Sequence, residues 1–169
     1  MTDYDALYRE TPNVLGPQDK GVKACLDRLP PPPCHILDFG AGQGRDAKPL
    51  ARAGYQITAV DIAASGLEQL TQDASTEGLL IHCVCGSAAD LDGPFDVLLI
   101  NRTLHMILDD AERAAVLWEL LRHLAPGGYV LIEDERSNIP GLKSVMNRHG
   151  AWDWIEETPR RLFARTAPG

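Results

Sequence analysis

The chain has 169 residues, 44% of them hydrophobic and 24% charged, which fits one globular domain around a single continuous core and excludes fibrous, low-complexity and disordered classes. Its formal charge of −8 would repel a polyphosphate backbone, and no run of Lys and Arg offers a local exception, so nucleic acid is not an expected partner. No apolar stretch is long enough to span a bilayer and residues 1–5 lack the basic start of a signal peptide, so a cytoplasmic location away from membranes is expected.

From Pro17 to Leu29 the apolar residues Val22, Cys25, Leu26 and Leu29 recur at helical spacing, and Pro30 to Pro33 stop the pattern. Residues 1–33 are therefore read as a helical cap with a Pro-rich linker, and 34–169 as the core of the same single domain. His35 to Phe39 reads as a buried strand that runs into Gly40-Ala41-Gly42-Gln43-Gly44, a tight turn opening a helix at about Arg45. Pro49 predicts an irregular start to that helix. The alternation repeats with a strand from Gln56 to Val60, a helix from Ala63 to Ala74, and strands from Leu79 to Val84 and Phe95 to Ile100. Asp109 and Glu112 have the spacing of a capping box, and Leu117, Leu120, Leu121 and Leu124 give the following helix a buried stripe.

Pro126-Gly127-Gly128 is expected to end that helix before a strand from Tyr129 to Ile132. A short helix closed by Gly150 and a β-hairpin through Thr158-Pro159 finish the chain, with Trp152 and Trp154 assigned one to the core and one to an interface. The pattern predicts an α/β fold: one doubly wound Rossmann-like domain whose mainly parallel seven-stranded sheet ends in a β-hairpin. In such sheets ligands bind beyond the carboxyl ends of the strands. Cys25, Cys34, Cys83 and Cys85 contain no C-x-x-C pair and are read as buried thiols; a zinc site built from all four is the alternative, and no metal is expected.

Three features fall on that carboxyl edge: Asp38 with the loop Gly40 to Gly44, Asp61 at the end of the next strand, and Cys85-Gly86-Ser87 at the end of the third. Glycines let backbone approach a ligand closely, and a carboxylate at the second strand's end can accept both hydroxyls of a ribose, so a nucleoside-containing ligand is implied. A dinucleotide fingerprint needs a third glycine where Arg45 stands, and Asp38 would repel a pyrophosphate but suit the amino group of a zwitterion through a water. S-adenosylmethionine (SAM) carries such a group.

Ile36-Leu37-Asp38-Phe39-Gly40-Ala41-Gly42-Gln43-Gly44 resembles the first motif of the class I SAM-dependent methyltransferases, and Val60-Asp61 their ribose-binding acid. Phe95 to Asn101 resembles their fourth-strand motif, and Leu124 to Ile132 the turn before their fifth strand. Within that superfamily, Tyr4 to Gly16 and Gly42-Gln43-Gly44-Arg45-Asp46 are similar to the tellurite-resistance and thiopurine-type small-molecule methyltransferases. The resemblance implies SAM as cofactor, with Asp38, Gly40, Ala41, Gly42, Gly44 and Arg45 around its methionine part, Asp61 on the ribose, Ile62 on the adenine face, and Ser87 and Ala88 at the adenine edge. Family members often carry an acid where Ser87 stands, which leaves a backbone carbonyl or Asp90 for the adenine amino group.

Asn101 is placed by the same resemblance near the methyl-bearing sulfur, and Asn101 to His105, Arg102 included, along one wall of an acceptor pocket. Methyl transfer is an in-line displacement from a sulfonium and needs no protein nucleophile. His105 is the candidate base, with Asn101 the other catalytic candidate; capping or packing of the loop is the alternative for His105. Tyr4 and Tyr8 either fold over the sulfonium or are ordinary surface aromatics. Glu133-Asp134-Glu135 is either a solvated loop or an attraction for a cationic acceptor. The expected function is transfer of a methyl group from SAM to a small-molecule acceptor by a monomer or homodimer, and the alternative is a SAM-binding or interaction domain without turnover.

Overall fold

Among residues 2–168, which the computed structural model describes, six helices and seven strands alternate along the chain. They are α1 (Tyr4–Glu10), α2 (Lys20–Leu26), β1 (His35–Phe39), α3 (Ala47–Arg52), β2 (Gln56–Asp61), α4 (Ala64–Glu77), β3 (Ile81–Cys85), β4 (Phe95–Asn101), α5 (Asp110–Leu121), β5 (Leu124–Glu133), α6 (Ile139–His149), β6 (Trp152–Glu157) and β7 (Arg161–Thr166). One sheet of order β3-β2-β1-β4-β5-β7-β6 holds all seven strands. β1 to β5 are parallel, and β7 runs antiparallel to both β5 and β6, so the expected mainly parallel sheet with a terminal hairpin is observed.

Successive strand residues point to opposite faces, and helices cover both, which is why the central strands read as unbroken apolar runs. Ile36, Val97, Leu99, Leu131 and Phe163 pack with α2, α3 and α4 on one face. Their neighbours Leu37, Leu98, Ile100, Val130 and Leu162 pack with α5 and α6 on the other. No helix is long and apolar enough to cross a membrane among the described residues.

Local chemistry sets the helix ends. Asp19 accepts from the N–H groups of Gly21 and Val22 at 2.9 and 3.0 Å, so α2 begins after it rather than at Pro17. α4 ends at Gly78, whose φ of 68° suits glycine. The Asp109 carboxylate accepts from Glu112 N at 2.8 Å and caps α5. β5 differs from expectation: it already pairs at Leu124 with Phe95 and resumes at Tyr129 with Val97, so residues 125–128 form a bulge inside the strand. Gly127, at φ 74°, turns its N–H outward to Ala167 O in that bulge.

Two further expectations are corrected. Trp152 and Trp154 both pack on the α5–α6 side, because residues two apart on a strand share a face. Of the four thiols only Cys25 is buried, and Cys85 is exposed at the end of β3.

Candidate active site

Leaving β1 the chain builds β2 and β3 on one side, then returns to lay β4 on the other side of β1, which opens a crevice at the carboxyl ends of β1 and β4. The glycine loop leaves β1 there and folds onto the end of β2. Gly40 N and Ala41 N both donate to Val60 O, at 2.7 and 3.0 Å. Gly42 N donates to Asp61 Oδ2 at 2.7 Å, and Asp61 Oδ1 accepts from Ala63 N at 2.8 Å. Each Asp61 oxygen thereby retains a lone pair. Ile62, directly after it, is 83% exposed.

The loop's glycines answer to different neighbours. At Gly40, with φ of 80°, a Cβ would fall 2.1 Å from Thr103 Oγ1, which itself donates to Phe39 O at 2.9 Å. A Cβ on Gly42 would lie 2.6 Å from the Tyr8 hydroxyl. The same atom on Gly44 would strike Leu70 of α4 at 2.3 Å, so Gly44 lets the loop pack on α4. Tyr8 is buried, and its hydroxyl is pushed up to about 12, first by burial and then by the nearby Asp61 charge.

Beneath the loop lies a buried polar floor. Asp38 and Asp46 are 3% and 4% exposed. Burial holds Asp38 well above the usual carboxylate range, and the charges of Asp46 and Asp61 raise it further. Asp46 accepts from Asn101 Nδ2 at 2.8 Å and from Gln18 Nε2 at 3.1 Å, while Asn101 Oδ1 is buried without a partner. Over this floor opens a cavity of about 340 Å³ walled by Arg45, Asn101, Arg102, Glu133 and Arg160, with Asp19 and Pro17 at its α2 side. Asn101 and Glu133 are neighbours in strand register, and Arg102 N donates to Glu133 O at 2.8 Å.

The remaining candidates occupy separate places. Ala88 is buried, and Ser87 caps a single 3₁₀ turn in which Ser87 N donates to Asp90 Oδ2 at 2.7 Å. That bond lowers Asp90 and engages its Oδ2, leaving Oδ1 without a hydrogen bond among the described residues. His105 sits on the 3₁₀ turn after β4, outside the cavity wall, with Nδ1 buried and unpartnered and its backbone N–H on Asp134 Oδ2 at 3.1 Å. Tyr4 lies 5.7 Å from Tyr8, ring to ring. Only the last residue of the acidic run, Glu135, is exposed: Asp134 is fully buried and accepts from His105 N, Glu135 N and Asn138 Nδ2, and Glu133 faces Arg161 Nε at 2.9 Å.

Sequence reasoning missed Asp46, Gln43 and the arginines of the hairpin turn. Gln43 accepts from Val14 N at 3.0 Å and donates to Thr11 O at 2.7 Å, fastening the amino-terminal segment to the loop. A glutamine among glycines was the only local signal. Nothing near Arg160 in the chain announces a site, because its cavity partners lie on other segments.

Comparison with known proteins agrees with this geometry. Residues 36–128 match the family model of a methyltransferase domain. A ubiquinone biosynthesis O-methyltransferase of Methylocella silvestris is 36% identical over 154 residues, covering 82% of this chain and 59% of the relative. A tRNA 5-carboxymethoxyuridine methyltransferase of Escherichia coli is 30% identical over 109 residues, covering 61% of this chain and 41% of the relative, so the chain spans about half the length of such relatives. A TehB-like SAM-dependent methyltransferase of Corynebacterium glutamicum superposes with a TM-score of 0.74 at 20% identity, covering 99% of this chain and 97% of that one, and shares the fold. Motifs, strand order and family match converge: the chain belongs to the class I SAM-dependent methyltransferases.

Proposed function

We propose that this chain transfers the methyl group of SAM to a small-molecule acceptor. The observation that carries the reading is the junction of Gly42 and Asp61, 2.7 Å apart, at the edge where the order of the strands reverses. Asp61 would hold the ribose hydroxyls with its remaining lone pairs, exposed Ile62 would cover an adenine face, and Ser87 and Ala88 would border the adenine edge. Gly40, Ala41, Gly42 and Gly44 would shape the floor under the methionine part, Asp38 would face its amino group through a water, and Arg45 would meet its carboxylate. The partnerless Nε of Arg45 fits that role, since a buried donor left unmatched marks a place for a ligand. SAM supplies an electrophilic methyl on sulfur, so the protein's own work is to align, desolvate and, where the acceptor needs it, take a proton. Asn101 would stand beside the reacting centre, and His105 is the residue proposed as base.

Calorimetry with SAM, S-adenosylhomocysteine and NAD tests the cofactor. Asp61→Ala should weaken SAM binding by about tenfold or more, the scale of a hydrogen bond to a charged group. Preferential binding of NAD, or unchanged affinity in Asp61→Ala, sinks the reading. His105→Ala should lower turnover of an acceptor that must lose a proton, and unchanged turnover across pH would strike His105 from the mechanism. A nucleic-acid acceptor is the second reading, favoured by the similarity to the tRNA methyltransferase and opposed by the charge of −8. Methyl transfer to bulk tRNA, measured beside a panel of thiols, amines, phenols and carboxylates, separates the two.

A further inference from the structure

In a chain of formal charge −8, the cavity at the carboxyl edge gathers three guanidiniums from distant segments: Arg45 from the glycine loop, Arg102 after β4 and Arg160 before β7. Two carboxylates share the wall, and Arg161 offsets the charge of both. Asp19 accepts from Gly21 N and Val22 N and faces Arg161 at 3.4 Å, and Glu133 faces Arg161 at 2.9 Å. The arginines are less well matched: Arg102 stands 3.6 Å from Glu135, and Arg160 Nε 3.6 Å from Glu133, both beyond hydrogen-bond reach.

Four cavity residues also carry a buried polar atom with no hydrogen-bond partner, namely the donors Arg45 Nε and Arg160 Nε and the acceptors Asn101 Oδ1 and Glu133 Oε2. Asn101 is 7% exposed, and its Nδ2 is spent on the Asp46 carboxylate at 2.8 Å, which turns Oδ1 the other way as an acceptor. The wall thus offers forked cationic donors and two acceptors, Asn101 Oδ1 and the Arg161-paired Glu133 Oε2, around about 340 Å³, room for a small molecule.

We propose that this wall binds the methyl acceptor, and that the acceptor is a small organic acid whose carboxylate is held by Arg102 and Arg160 while a hydroxyl or amino group beside it donates to Asn101 Oδ1. Planar guanidiniums match a carboxylate in shape as well as charge, and hydrogen bonds between ionised partners are the strong ones. Arg45 is left to the cofactor. Arg102 and Arg160 are then the specificity-determining residues. The assignment rests on the methyltransferase reading above.

The test uses the full chain loaded with S-adenosylhomocysteine and titrated with small hydroxycarboxylates and their carboxamide twins, 3-hydroxybenzoate against 3-hydroxybenzamide among them. At least one acid should bind about tenfold more tightly than its amide, the preference should weaken with salt, and Arg102→Gln and Arg160→Gln should each abolish most of it. Both side chains are about half exposed (50% and 42%), so the variants should fold and bind S-adenosylhomocysteine as the parent does. If S-adenosylhomocysteine does not bind the parent, the cofactor reading falls and this one with it. If it binds, and acids bind no better than amides, no acid binds, or both variants keep the preference, this assignment alone is overturned.

Discussion

Asp38, proposed to face the cofactor, is a carboxyl held buried at the expense of the fold. It is sealed under the glycine loop, and burial, then Asp46, then Asp61, raise it far above its ordinary 3.8. The native state therefore keeps a proton that the unfolded chain releases above about pH 4, so stability falls as pH rises from there toward the native-state value. Asp38→Asn removes that cost. Urea denaturation should show the variant more stable at pH 7, with the difference gone near pH 3, while SAM affinity drops. An equal or lower stability at pH 7 would mean that the carboxylate is not under strain. Asp38 was legible in the chain because it stands directly before the glycines. The role of its neighbour Asp46 was not, since the bond to Asn101 joins the cap of α3 to the end of β4 and no spacing rule links them.

Among the elements, the amino-terminal segment is the one whose docking decides the shape of the site. Asp5 accepts from Ser65 N at 2.9 Å, Gln43 reaches Thr11 O, and Gln69 reaches Tyr8 O, so α1 lies against α4 with Tyr8 over Gly42 and Gly66. These bonds tie a short helix, too short to hold itself, to the loop that carries the cofactor motif. Deleting residues 2–15 should leave the sheet folded but lower its thermal midpoint by a few degrees and weaken SAM binding by about tenfold, on the scale of one buried aromatic side chain. Unchanged affinity in the truncated protein would assign α1 to stability alone. Strands β1, β2 and β4 were legible as apolar runs that end at turn or polar residues. β5 was read too short, because the Pro-Gly-Gly turn signal is real but lies inside a strand that had already begun to pair at Leu124.

Across the whole molecule, one ion cluster joins the terminal hairpin to the parallel sheet. Arg161 faces Glu133 of β5, Glu156 of β6 and Asp19 at the cap of α2, at 2.9, 2.9 and 3.4 Å. Burial raises Glu133 above the usual carboxylate range, and Arg161 offsets only part of that rise. Arg161→Gln leaves that charge buried without its main partner and should cost about 3 kcal/mol at pH 7. The loss should shrink toward pH 5, because a carboxylate with a raised native value costs stability only where the unfolded chain has released its proton. A loss independent of pH would point to packing instead. By itself the sequence determined the alternation of strands and helices, the glycine loop and the carboxylate one strand over, because each is written in neighbours a few residues apart. Only the tertiary structure decided that Arg45, Arg102 and Arg160 share one cavity and that Asp46 aims Asn101. Those meetings depend on strand order and crossover, which bring together segments that no local pattern relates.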